Sequence, residues 1–170
     1  MTVPLRQRPY DLFFVFFCAV NAVFITYIVD LEQVVIADPY HFSYPVWPPA
    51  PFVDLVHWYG SHYDPLLMAR PPFWHMTIWI DLIFFGPFYL FALYAFVRGR
   101  DWIRVPALVW SGTMVANVLI ILMDERYGVT PAPTFAIVVG ANLAWLLTPL
   151  AMIWRMRPDK PFTRLERVAA

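Results

Sequence analysis

At 170 residues the chain has room for one domain, and 61% apolar against 14% charged residues is far from the mix of an ordinary water-soluble one. Twelve basic and twelve acidic side chains cancel to a net charge of zero, which leaves no basic surplus for nucleic acid. A lone cysteine, Cys18, excludes an internal disulfide, and no motif calls for a metal or a cofactor.

Arg6 and Arg8 precede an apolar run, Leu12 to Val29, of 18 residues. A basic flank before an apolar centre is also how a signal peptide begins. The run is long for one, and no small-x-small site ends it before Asp30, so it reads as a first spanning helix. Asp30 to Pro72 follows as a long polar and aromatic connection holding eight of the chain's 17 prolines, a density that excludes a continuous helix. Within it, Phe52, Leu55, Val56, Tyr59 and Tyr63 keep helical spacing, which predicts a short amphipathic helix in the membrane interface. Its polar face would carry Asp54, His57 and His62. The two histidines are five residues apart and do not share a helical face, so they read as solvated rather than metal-binding.

Phe73 to Val97 is the longest span, 25 residues that are apolar except for His75, Thr77 and Asp81. At about 1.5 Å per residue it crosses a hydrocarbon core with length to spare. Asp81 sits well inside it, where a carboxyl group is costly unless it faces the bundle interior. Gly86-Pro87 follows, and Pro87 has no N–H to offer the carbonyl of Ile83. Val105 to Met123, interrupted by Asn117, and Phe135 to Trp154, with Asn142, Thr148 and Pro149, complete four spans, the last three joined by the short links Arg98–Arg104 and Asp124–Thr134. The fold class is therefore all-α: an integral membrane four-helix bundle with a long first connection and an intramembrane ligand cavity. Its expected parts are a cytoplasmic segment 1–11, a transmembrane domain 12–155 and a polar, partly disordered cytoplasmic tail 156–170.

Orientation follows from the positive-inside rule. The N-terminus has two arginines, the second link three and the tail five basic residues, whereas the first connection has only Arg70 and the third link only Arg126. All the rich segments fall on one side when both termini are cytoplasmic. Measured from the opposite face, Asp81 lies roughly 12 Å down its helix, and Asn117 and Asn142 each roughly 10 Å down theirs. Asparagines in membrane helices can serve only to glue helices together. Scattered glue, however, has no reason to fall level with an acid, and the shared depth points to a polar pocket. On the first helix Thr26 and Asp30 share a face, while Asn21 is about half a turn out of phase with Asp30. Phe85 on Asp81's face and Trp145 on Asn142's would give the pocket flat aromatic walls.

Several stretches resemble a known family. VDLEQVV at Val29–Val35, HWYGSHYDPLL at His57–Leu67, PPFW at Pro71–Trp74 and DWIRVPAL at Asp101–Leu108 resemble its sigma-2 receptor branch. VLIILMDERYG at Val118–Gly128 and NLAWLLTP at Asn142–Pro149 look closer to its emopamil-binding sterol isomerase branch, and FGPFYLFALYAFVRG at Phe85–Gly99 fits both. Together they are similar, in order and without large gaps, to the EXPERA-domain superfamily. The resemblance implies a cavity that opens toward lipid and accepts sterols or cationic amphiphiles. It implies that Asp30 pairs with a ligand amine, that Asp64 supports it, and that Asp81 is the buried acid of the second helix. The isomerase's proton-transfer pair falls on Ala22 and Thr26 and its second-helix glutamate on Ile78, while Asn142 and Trp145 keep an N-x-x-W whose indole can stabilise a cation.

The expected ligand-binding residues are thus Thr26, Asp30, Asp64, Asp81, Phe85, Asn117, Asn142 and Trp145, with no catalytic residue assigned. The leading expectation is a multipass protein that binds sterol-like or cationic amphiphilic lipids within the bilayer. The alternatives are an isomerase acting on a double bond of a polycyclic lipid, and a helix-bundle scaffold without ligand function. A homodimer is one assembly open to such a bundle. Its membrane would be the plasma membrane in a bacterium and the endoplasmic reticulum in a eukaryote.

Overall fold

The computed structural model describes residues 2–163. In chain order these form α1 at Asp11–Val35, α2 at Ala50–His62, α3 at Pro72–Arg98, α4 at Asp101–Tyr127 and α5 at Phe135–Arg155. α1, α3, α4 and α5 are each long and apolar enough to cross a membrane. α1 packs along α3, and α4 packs along α5. Each boundary has a local cause. Pro72 sits in the first turn of α3, where its missing N–H costs nothing. Gly99 ends α3 at φ 64°, a left-handed conformation that glycine takes freely.

α1 departs from expectation in two ways. It continues past Asp30 to Val35, because no glycine or proline stands between Asp30 and Ile36 to break it. Asp30 is therefore a mid-helix residue rather than the last one. The stretch Asn21–Asp30 is also wound as a π-helix, whose i→i+5 turns shift the phase of every side chain along it. A second π-turn, Asp81–Phe85, lies in α3 just before Gly86-Pro87. The two irregular stretches meet where α1 crosses α3. A Cβ added to Gly86 would stand 2.6 Å from Thr26 Cγ2, so glycine is what lets the two backbones come this close.

Two apolar cores result. Around one end of the bundle Phe14, Phe17, Tyr89, Phe96 and Trp110 pack together, with Phe88 stacked on Trp110 at 5.0 Å. At the other end Val56, Leu66, Leu67, Trp74, Ile78 and Ile121 form a smaller cluster under α2. The outer faces of α4 and α5 keep Val105, Val109, Leu119, Leu147 and Leu150 exposed, as a lipid-facing surface does.

Each end is tied by a polar clasp. At the first-connection end, Glu32 is fully buried and accepts from Arg70 Nη2 (2.9 and 3.0 Å) and pairs with His57 Nε2 (2.8 Å). Arg70 also donates to the carbonyls of Leu67 and Ile36. His57 is thus held against Glu32 and not solvated, because the extended α1 carries Glu32 under α2. At the other end Asp11 is paired with both Arg8 and Arg155, the latter through Nε at 2.7 Å and Nη2 at 2.9 Å. Both guanidinium groups lie over the ring of Phe162, which is itself buried. Val3 N–H donates to Phe162 C=O at 2.9 Å, and Asp101 accepts from the Phe162 N–H and the Thr163 hydroxyl. Met156 and Phe162 of the tail are therefore buried and anchored where the sequence suggested disorder, while 157–160 between them stay exposed. The expectation for 164–170 lies outside the described residues.

Candidate ligand cavity

Where the two cores meet, the bundle holds a partly open cavity of about 370 Å³. That volume falls within the range of pockets that hold a drug-sized molecule. α1 supplies Phe24, Ile25, Val29 and Asp30 to its wall, α3 supplies Trp74, Ile78 and Asp81, and α4 supplies Met114 and Asn117. α5 contributes Asn142 and Trp145, and α2 contributes Leu55, Trp58 and Tyr59. Leu55 and Trp58 also reach the exterior, so on that side α2 separates the cavity from the surroundings.

An acid pair interrupts the apolar wall. Thr26 Oγ1 donates to Asp81 Oδ1 at 2.5 Å, and the Asp30 carboxyl lies against that of Asp81. Asp30 Oδ2 finds no donor among the described residues. Ionised carboxylates are acceptors only and repel one another, so their contact needs a proton or a cation between them. Beside this pair, Trp145 Nε1 donates to Asn21 Oδ1 at 2.7 Å, and Asn21 Nδ2 donates in turn to Phe17 C=O at 2.8 Å. The indole is thereby fixed in the wall.

A second acidic group sits toward the first connection. Asp64 lines the cavity and faces Glu125, which lies at the end of α4 and has no donor for either oxygen among the described residues. Burial, above all, pushes the Asp64 pKa up, partly offset by the Glu125 carboxyl and the N–H groups of Leu67 and Leu66. Burial likewise pushes the Tyr59 hydroxyl up to about 12, helped by the neighbouring Asp64 and Glu125.

Of the side chains expected at a pocket, Asp30, Asp64, Asp81, Asn117, Asn142 and Trp145 line this cavity. Thr26 and Phe85 do not. Thr26 stands one layer behind, spent on Asp81, and Phe85 is buried in the larger core because the π-turn rotates it away from Asp81's face. Sequence reasoning set Asn21 aside as out of phase, yet the π-helical winding carries it to Trp145. It also missed Gln33, Tyr59 and Glu125. Gln33 would have been reachable, since a helix continued through Val35 places it one turn beyond Asp30. Nothing in the sequence separates Glu125 from the adjacent Asp124.

Comparison with known proteins gives concordant matches. The sequence model of EBP, described as EXPERA (expanded EBP superfamily), matches residues 51–156. Sigma intracellular receptor 2 of Xenopus tropicalis is 33% identical over 133 residues, covering 77% of this chain and 71% of that protein. The proteins of the same name from Macaca fascicularis and Homo sapiens are each 32% identical over 100 residues, covering 58% of this chain and 52% of theirs.

Proposed function

This chain belongs to the EXPERA family, the expanded EBP superfamily, and from that premise we propose that it is a membrane receptor or carrier for cationic amphiphiles and sterol-like molecules. The observation that carries the reading is a largely apolar cavity with an acid pair, Asp30 and Asp81, in its wall. The apolar volume takes a hydrocarbon body, and an ammonium takes the place between the carboxyls that a proton otherwise fills. Relatives named as intracellular receptors agree with a binding role. Ala22 and Ile78, where an isomerase would place two of its proton-transfer groups, are both buried and apolar, which favours binding over catalysis. Trp145 and Asn142 then serve as a wall for a flat or cationic ligand.

Asp30 is the anchor in this reading. Its Oδ2 lacks a protein donor, whereas Asp81 already accepts from Thr26. Removing one partner of a desolvated charge pair costs about 2–5 kcal/mol, so Asp30→Asn should weaken an amine ligand by at least about tenfold. A neutral sterol should lose far less, because it never used the charge. Binding of one amine and one sterol to the same folded variant is the measurement, and parallel losses for both would remove Asp30 from the anchor role.

A further inference from the structure

Gln33 is held in one orientation by a donor that leaves no choice. Trp74 Nε1 donates to Gln33 Oε1, and an indole N–H can only donate, so the amide oxygen must face Trp74. Gln33 Nε2, with two hydrogens, is turned away and has no partner among the described residues, although the side chain is only 1% exposed and lines the cavity. A buried donor left unmade is costly, and the fold keeps it beside the acid pair, three residues beyond Asp30 on α1. In the same cavity wall Asp30 Oδ2 and Asp64 Oδ1 lack donors.

The wall therefore holds two unanswered acceptors and one unanswered donor, besides the Tyr59 hydroxyl, which is also unpartnered among the described residues and can either give or take a bond. A sterol hydroxyl can satisfy Gln33 and one carboxyl, and leaves the other bare. An alkylammonium is a donor only, and leaves Gln33 unanswered. A head group with an ammonium and a neighbouring hydroxyl answers all three, the hydroxyl accepting from Gln33 Nε2 while it donates to Asp64. We propose that the cavity selects long-chain amino alcohols, with Gln33 as the residue that reads the hydroxyl. This inference rests on the amine-binding reading above and names the class of amine.

The test uses the full chain in nonionic detergent micelles, with octadecylamine and sphinganine as probes matched in chain length, followed by titration calorimetry. Wild type should bind sphinganine at least about tenfold more tightly than octadecylamine, the size expected when a buried donor gains its partner. Gln33→Met, unbranched and of similar length, should erase that preference while octadecylamine binding stays within about threefold. Trp74→Phe keeps a ring but releases the amide to turn, and it should shrink the preference in the same direction even if Gln33→Met fails to fold. Equal affinities for the two probes in wild type, or parallel losses for both in either variant, overturn the assignment of Gln33. Octadecylamine binding that is absent, or indifferent to Asp30→Asn, overturns the amine reading and this inference with it. Asp30-dependent amine binding without a sphinganine preference overturns this inference alone.

Discussion

Asp64 couples protonation to packing outside the spanning helices. Burial holds its pKa above the unfolded value, so the folded chain keeps the proton to a higher pH than the unfolded chain does. The resulting stability is full below the ordinary carboxylate range and is lost as the pH rises through the raised value. Asp64→Asn cannot ionise, so from about pH 4 upward its Tm should decline less steeply than that of wild type. Matching slopes in a thermal melt series would remove Asp64 from the pH response. Asp81 was legible in the sequence because an acid inside an apolar run has so few tolerable places, whereas the roles expected of Asp30 and Asp64 came from the family resemblance. Gln33 was not, since an amide is far less costly to bury and its position depended on where α1 stops. Glu125 was hidden for a third reason: its neighbour is Asp124, and only the packing of Asp64 against the end of α4 tells the two apart.

At the scale of the element, the crossing of α1 and α3 sets the acid pair. Gly86→Ala would push a methyl group into Thr26 Cγ2, and overpacking of this kind costs about 1–3 kcal/mol. The Tm should fall, and the Thr26–Asp81 hydrogen bond should be strained with it. Adding Thr26→Ser removes the clashing methyl and keeps the hydroxyl, so the double variant should recover most of the loss. A double variant no more stable than Gly86→Ala would mean that the tolerance of Gly86 lies elsewhere. The four spans were readable from length and apolarity, and α2 from its spacing. The π-turns were not, because a phase shift of one residue leaves composition and hydropathy unchanged. Their effect fell on side chains, moving Phe85 out of the cavity wall and Asn21 in behind it.

On the scale of the whole molecule, the two ends differ in charge as well as in architecture. The distribution of basic residues proposes both termini on the cytoplasmic side; on that reading Ser43→Cys should react with an impermeant thiol reagent in intact cells and Lys160→Cys should not. Both positions are exposed, and the native Cys18 is fully buried, so it adds no background. Labelling at Lys160→Cys alone would mean that the bundle sits the other way up. The packed meeting of residues 2–8 with 155–163 also bears on how the protein is made. Asp11 opens α1 and is translated before the rest of the bundle, but one of its two arginine partners, Arg155, closes α5, and the ring that both arginines cover, Phe162, follows it. The ribosome thus delivers α1 to α4 with one end unsealed, and the residues at and just beyond the end of α5 close the seam that those beside the start of α1 leave open.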